Sequence, residues 1–246
     1  MGIKSLQRNW DKLGRDDPLW AILSRSDRRG GQWDVDEFFA TGRADVSRLI
    51  DDLASLRIPV SRKRALDFGC GAGRLTQALA DHFDEVVGVD IAPSMIELAK
   101  RYNKRGQRCS FVLNSADDLA AFGDDRFDLI YTRIVLQHMA PRFMSRYLDE
   151  FVRTLSPGGV IAFHIPSDAP RTLRGAILRA MPSRIHEWAG VLMRSFRRQP
   201  RMQMYWMPPD KVRARLAVNG ARIVLEKPVS GEGSGWDGIQ YFATRP

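Results

Sequence analysis

The chain has 246 residues, of which 44% are hydrophobic, and a formal net charge of +9. This length fits one large α/β domain with modest extensions. We expect a cytoplasmic protein, since no apolar run could cross a bilayer and the N-terminus has no apolar signal core. Its two cysteines, Cys70 and Cys109, exclude a disulfide framework, and no His/Cys spacing predicts a zinc site.

The first 60 residues are predicted to form a helical N-terminal extension, and residues 61–246 the main domain. The extension carries too many bulky apolar side chains for a disordered tail. These are Trp10, Trp20, Trp33, Phe38 and Phe39.

Strands and helices alternate from residue 64 onward. Apolar runs predict strands at 64–68, 85–90, 110–113, 127–132, 160–165, 221–229 and 239–244. Helical spacing predicts helices at 75–82, 94–102, 141–155 and 209–218, the second with Ser94 as N-cap and Glu97 completing a capping box. The alternation indicates a doubly wound α/β fold, a parallel sheet with helices on both faces.

A glycine-rich loop follows the first strand, in the run Leu66-Asp67-Phe68-Gly69-Cys70-Gly71-Ala72-Gly73. Glycines let a ligand approach the backbone closely, although such a loop is by itself as often a simple turn. The spacing is G-x-G-x-G, not the G-x-G-x-x-G of dinucleotide sites. Asp67 would repel a pyrophosphate and attract an ammonium group.

A second acid, Asp90, ends the second strand 17 residues after Gly73. A carboxylate there can accept hydrogen bonds from ribose hydroxyls. The implied ligand has a ribose and an ammonium group but no diphosphate, which fits S-adenosylmethionine and disfavours an NAD-dependent oxidoreductase.

Four motifs in order resemble the class I S-adenosylmethionine-dependent methyltransferases over residues 62–246. They are the glycine loop, Val87–Met95, Phe127–Met139 and Leu155–Gly159. The resemblance implies a seven-stranded Rossmann-like sheet of order 3-2-1-4-5-7-6 with an antiparallel last strand. It also implies that cofactor contacts come from these motifs, namely Asp67, Gly69, Cys70, Gly71, Gly73, Asp90, Ile91, Thr132, Arg133 and Gln137.

Two cofactor contacts rest on weaker signals. After the third strand the family often has an acid that binds adenine, but Ser115 stands there, so Asp117 or the backbone of Ala116 is expected to take over. Arg43, in the N-terminal extension, is a candidate for the methionine carboxylate because guanidinium matches carboxylate geometry. The alternative is a surface arginine beside a turn.

His138 and His164 are the candidate general bases for a hydroxyl acceptor, because each follows or ends a strand at the ligand edge of the sheet. The resemblance favours His138, which lies in the turn that faces the methyl group. Each could instead be a structural histidine, and an amine acceptor needs no base.

A basic block covers residues 170–222, with twelve Lys and Arg against Glu187 and Asp210. Residues 168–207, which overlap this block, interrupt the alternation and are interpreted as a helical lid that selects the acceptor. The pattern suits peripheral membrane contact through 170–200, or a helix packed on the core with a solvated basic face.

For the protein as a whole we expect O-methylation of a saccharide, a lipid-linked compound or a secondary metabolite. RNA methylation through the basic block is the alternative, and a non-catalytic cofactor-binding partner protein is disfavoured by the intact motifs.

Overall fold

A seven-stranded mixed sheet forms the centre of the molecule, in a computed structural model that describes residues 2–168, 202–230 and 236–246. The strand order is β3-β2-β1-β4-β5-β7-β6, and β7 runs antiparallel to both neighbours. The predicted sheet is therefore confirmed. The strands are β1 (Arg64–Phe68), β2 (Glu85–Asp90), β3 (Cys109–Leu113), β4 (Phe127–Thr132), β5 (Leu155–Pro166), β6 (Arg222–Val229) and β7 (Gly238–Thr244).

Strand β5 starts five residues earlier than predicted. Leu155 pairs with Phe127, and the regular ladder resumes where Val160 pairs with Leu129. The residues between them bulge out of register, so the turn sequence Ser156–Gly159 lies within the strand instead of before it.

Among the described residues there are seven α-helices, and six of them pack on the two faces of the sheet, as a doubly wound fold requires. Helices α3, α4 and α5 contribute to the core on one face, and α1, α6 and α7 to the core on the other. They are α1 (Ile3–Asp16), α2 (Pro18–Ile22), α3 (Val35–Ser55), α4 (Arg74–Leu79), α5 (Pro93–Tyr102), α6 (Pro141–Thr154) and α7 (Pro209–Val218).

The predicted capping box of α5 is wrong. The helix starts at Pro93 with Ala92 as N-cap, and no side chain of its own caps it. Asp11 of α1 instead accepts a hydrogen bond from the backbone N–H of Ser94 (2.9 Å), and the Ser94 hydroxyl donates to the Asp11 carbonyl (3.0 Å). Gly14 permits this crossing, since a Cβ there would lie 2.5 Å from Ser94 Oγ. The N-terminal extension is thus packed onto the sheet domain.

The predicted lid lies largely outside the described residues, over 169–201, and stays a prediction together with its membrane contact. The chain returns at residue 202 along the carboxyl edge of the sheet. There the Tyr205 N–H donates to the Gln137 carbonyl (2.7 Å) and the Met207 N–H to the Pro166 carbonyl (3.1 Å). In the described ranges, no helix combines the length and apolarity needed to cross a membrane.

Candidate functional site

A cavity of about 900 Å³, which includes its open mouth, lies at the carboxyl ends of β1, β2 and β4. This position is the crevice between β1 and β4 where strand order reverses, the usual ligand site of such sheets. The lining residues are Leu6, Trp10, Ala21, Ile22, Phe68, Gly69, Cys70, Gly71, Arg74, Leu75, Val89, Asp90, Ile91, Met95, Asn114, Arg133, Ile134, Val135, Met139 and Tyr147.

The glycine loop forms the floor of this cavity. Gly69, Gly71 and Gly73 all have positive φ, at 76°, 52° and 82°, a conformation that favours glycine. A Cβ on Gly71 would lie 2.6 Å from Ile22 Cδ1, so α2 covers the loop closely. Gly69 and Gly71 line the cavity, whereas Gly73 caps α4 behind them and is not among the lining residues.

Asp67 lies beneath the loop, not in the cavity wall. Its side chain is buried, and Oδ2 accepts a hydrogen bond from the Thr76 hydroxyl (2.6 Å). Within the described residues, Oδ1 has no hydrogen-bond partner. Burial raises the pKa of Asp67 to about 6, although the Thr76 hydrogen bond and the Arg74 guanidinium oppose the rise. A buried carboxylate with one free oxygen is suited to a cation above it.

Asp90, which ends β2 as predicted, lines the cavity. Its Oδ2 accepts from the Gly71 N–H (2.9 Å) and its Oδ1 from the Ala92 N–H (2.8 Å). Burial raises the pKa of Asp90, while these backbone hydrogen bonds oppose the rise. Each carboxylate oxygen keeps further acceptor capacity, so the group can still take up two hydroxyls.

Three arginines contact Asp45, namely Arg48, Arg74 and Arg133, and the last two line the cavity. Arg74 Nη1 lies 2.6 Å and Arg133 Nε 3.4 Å from Asp45 Oδ2. Burial raises the pKa of Asp45, but the guanidiniums of Arg133 and Arg74 outweigh it and hold that pKa below its usual value. Thr41, one turn earlier on α3, accepts a further hydrogen bond from Arg74 (3.2 Å).

Arg74 was missed by the sequence analysis, which chose Arg43 for this end of the cofactor. Arg43 is exposed on α3 and is not among the lining residues, so the structure places it away from the cavity. Its neighbour Gly42 packs against the Arg74 backbone, where a Cβ would lie 2.4 Å from the Arg74 carbonyl oxygen. The arginine directly after the last loop glycine was the signal that could have identified Arg74.

Asn114 and Tyr147 also line the cavity. The Tyr147 hydroxyl donates to the Ala116 carbonyl (2.9 Å) and so fixes the segment after β3. Asp117 is bound to Arg146 (3.1 Å). Neither Ala116 nor Asp117 is among the lining residues, while Ile91 is, on the adjoining wall.

The turn after β4 is tightly anchored. Thr132 is buried, and its hydroxyl has no hydrogen-bond partner among the described residues. His138 Nδ1 lies 2.7 Å from the Gln203 carbonyl oxygen and Nε2 lies 3.3 Å from Gln137 Nε2, while the Trp10 ring packs edge-on against the imidazole. Thr132, Gln137 and His138 are not lining residues, so this turn reaches the cavity through Arg133 and the residues that follow it.

Both candidate bases are neutral histidines at pH 7. Burial lowers the pKa of His138 to about 4, although the Gln203 hydrogen bond opposes the shift. Burial and the Arg133 guanidinium lower the pKa of His164 to about 4. The two histidines differ in their hydrogen-bond partners. Both ring nitrogens of His138 have a partner, whereas His164 Nε2 has none in the described part of the chain.

The charges of the cavity fit S-adenosylmethionine. The arginine pair matches a carboxylate, and Asp67, which does not line the cavity, adds a buried acidic group two residues before the glycine loop. Asp90 offers acceptor oxygens suited to a ribose. Asn114 lines the cavity with its side chain bonded to its own segment, since Nδ2 donates to the Asp118 carbonyl (2.8 Å) and Oδ1 accepts from the Ala116 N–H (3.4 Å). The apolar walls supply the remaining contact.

Comparisons with known proteins identify the family. The family described as "Methyltransferase domain" matches residues 65–159. A ubiquinone biosynthesis O-methyltransferase of Azorhizobium caulinodans is 32% identical over 189 residues, which cover 73% of this chain and 68% of that protein. A ubiquinone biosynthesis O-methyltransferase of Cereibacter sphaeroides is 32% identical over 142 residues, which cover 55% of this chain and 56% of that protein. The chain therefore spans a little over half the length of that relative.

A solved structure shares the fold along its whole length. The magnesium protoporphyrin IX methyltransferase of Synechocystis, with S-adenosylhomocysteine bound, superposes with a TM-score of 0.65 at 20% identity, covering 100% of both chains. With the match to the Azorhizobium enzyme, this shows that the chain belongs to the class I S-adenosylmethionine-dependent methyltransferases. The cofactor of the family is S-adenosylmethionine, as predicted.

Proposed function

We propose that this protein transfers a methyl group from S-adenosylmethionine to a hydroxyl of a small molecule. The observation that carries the proposal is the crevice between β1 and β4. It combines the Asp45-bound arginines, the glycine loop and Asp90 in one cavity. The curated relatives named above are O-methyltransferases, which supports oxygen as the acceptor atom.

Each part of the cofactor has a candidate partner in the chain. Arg74 and Arg133 would bind the methionine carboxylate, since a guanidinium forms strong paired hydrogen bonds with a carboxylate. Asp90 would accept from the ribose hydroxyls, and Asn114 with the segment at Ala116 would face the adenine. When bound, the cofactor supplies a methyl group made reactive by a sulfonium.

The remaining task of the chain is to orient the acceptor and receive its proton. Alignment of two reactants alone can lower a barrier by roughly 7–11 kcal/mol in good cases. His164 and His138 stay the proposed bases. Of the two, His164 keeps a ring nitrogen, Nε2, without a partner in the described residues, although that atom is buried and neither histidine lines the cavity.

Part of the cavity wall is apolar and suits an apolar acceptor. Leu6 and Trp10 of α1, Ile22 of α2 and Met139 after β4 present apolar side chains there. These groups favour a lipid-linked or aromatic compound over a free saccharide. A cytoplasmic location and contact with a membrane surface remain part of this proposal.

The test is methyl transfer from cofactor labelled in its methyl group. Purified protein is incubated with a prenylated catechol, a lipid-linked saccharide and total RNA in parallel, with an Asp90→Ala variant as the inactive control. We expect label in the catechol fraction that depends on Asp90. Label in RNA alone would favour the alternative, in which the basic block at 170–222 binds a nucleic acid. Failure of the wild-type protein to bind S-adenosylhomocysteine would overturn both.

A further inference from the structure

Ile134 adopts a backbone conformation that β-branched residues rarely tolerate. Its φ is +62°, in the left-handed region, although its Cβ branches crowd the backbone there. It lies two residues after the end of β4, beside the crevice between β1 and β4, and it lines the cavity. Strained residues that persist at such a place mark a functional constraint more often than chance.

The neighbouring residues hold this conformation in place. Val135 fills the space above Gly69, where a Cβ would lie 2.4 Å from Val135 Cγ2. The His138 N–H closes the following turn onto the Val135 carbonyl (2.9 Å), and His138 Nδ1 bonds to the Gln203 carbonyl. Because the turn is fixed on both sides, the strain cannot relax without loss of these contacts.

The conformation changes which way the flanking side chains point. In an extended strand, residues 133 and 135 would share a face. Here Arg133 reaches Asp45 on the α3 side of the sheet, whereas Val135 packs with the core cluster on the α6 side. Both line the cavity although they pack toward opposite faces of the sheet.

We propose that Ile134 is a positioning residue whose left-handed backbone aims Arg133 and Val135 into the site of methyl transfer. This inference rests on the proposed function. The strained residue fixes the guanidinium toward the cofactor carboxylate and the apolar wall toward the acceptor. A more flexible residue at 134 would leave both groups present but loosely placed.

Two substitutions separate the backbone from the side chain. Ile134→Ala removes the apolar side chain and keeps the restriction on φ, whereas Ile134→Gly removes both. Arg57 provides the matched control, since its φ is +54° at an exposed site after α3 that is not part of the cavity wall. Arg57→Ala and Arg57→Gly therefore make the same comparison at a position that lies away from the cavity.

Binding of S-adenosylhomocysteine, thermal midpoint and methyl transfer are measured for all four variants. At both positions we expect the Gly variant to melt about 2–4 °C above the Ala variant, since glycine relieves the strain. At position 134 only, Gly should bind and turn over at least tenfold worse than Ala. The Arg57 variants should bind alike.

Equal binding and turnover in the two position-134 variants would overturn the inference, even with the wild-type protein fully active. An Ala variant more stable than the Gly variant at 134 would also overturn it, because the strain would then be absent. A wild-type protein that binds no S-adenosylhomocysteine would instead reject the proposed function, and the inference with it.

Discussion

The carboxylate of Asp11 in α1 accepts a hydrogen bond from the backbone N–H of Ser94, which joins the N-terminal helix to the start of α5. Burial raises the pKa of Asp11, but the hydrogen bonds from Ser94 and the nearby Arg15 outweigh it and hold the pKa below its usual value. The same helix places Leu6 and Trp10 in the cavity wall. One contact between distant parts of the sequence thus supports both a helix terminus and the cofactor site.

Asp11→Ala should therefore weaken both features. Loss of a helix cap costs about 1 kcal/mol, which lowers the thermal midpoint of a chain of this size by about 2–4 °C. Proteolysis within α1 should become faster, and binding of S-adenosylhomocysteine weaker. Asp16→Ala, on an exposed position of the same helix, is the control. A variant at Asp11 as stable as that control would show that the cap contributes nothing.

Asp90→Ala should weaken binding of S-adenosylhomocysteine by about 1.5–3 kcal/mol, the usual loss for hydrogen bonds to a charged group. Asp90→Asn should lie between, because an amide retains one acceptor oxygen. The measurement is calorimetric titration, with Asp36→Ala on the exposed face of α3 as control. Unchanged affinity in Asp90→Ala would remove this residue from the site.

Two ligands distinguish recognition of the carboxylate from recognition of the nucleoside. S-adenosylhomocysteine has the methionine-derived carboxylate and 5′-methylthioadenosine lacks it. Arg133→Gln should weaken binding of the first by about 1.5–3 kcal/mol and leave the second nearly unchanged. Arg43→Gln tests the earlier expectation directly, and its exposed position predicts no effect on either ligand. If Arg43→Gln shows the selective loss instead, the assignment of the arginine pair is wrong.

Most of the fold follows from local sequence. The bounds of β1, β2 and β4 match the prediction, because buried parallel strands appear as short apolar runs between polar turns. The start of β5 was misplaced because residues 156–159 have a turn composition and yet bulge within the ladder. A local rule cannot anticipate a bulge that the neighbouring strand imposes.

The site was predictable only where one motif carries it. Gly69, Gly71 and Asp90 belong to local patterns and line the cavity. The cap of α5 and the partner of Arg74 come from Asp11 and Asp45, which lie 83 and 29 residues away in the chain. Both contacts depend on how α1 and α3 pack across the sheet, which periodicity does not encode.

The stability of the protein should depend on pH through His138. Its folded pKa is about 4 against an ordinary value of 6.5, so the unfolded chain binds more protons between these values. The free energy of unfolding should therefore fall by on the order of 3 kcal/mol as the pH drops from 6.5 to 4, from this residue alone. His138→Gln should flatten that dependence, as measured by urea unfolding at several pH values.

Asp67 provides a second test, in which the effect of pH on the free energy of unfolding has the opposite sign. Its folded pKa of about 6 lies above the ordinary 3.8, so the folded protein binds the extra proton between these values. That contribution is fully present at low pH and is lost as the pH rises toward 6. Asp67→Asn should therefore steepen the loss of stability on acidification. If both variants changed the dependence of stability on pH in the same direction, the opposite pKa shifts assigned to His138 and Asp67 would be wrong.

Two histidines near the carboxyl edge of β4 and β5 are the candidates for the proposed general base. His138 donates from Nδ1 to the Gln203 carbonyl and has Gln137 at Nε2, whereas His164 Nε2 is buried and without a partner in the part of the chain that the structure describes. A neutral imidazole with a free nitrogen can accept a proton from a hydroxyl. His164→Ala should then lower turnover roughly 10²–10⁴-fold. Its affinity for S-adenosylhomocysteine should stay nearly intact, since His164 is not a lining residue.

His138→Gln is the comparison, expected to reduce stability more than turnover. A large loss of turnover in that variant alone would assign the base to His138. Near-normal turnover in both would mean that the proton leaves directly to solvent.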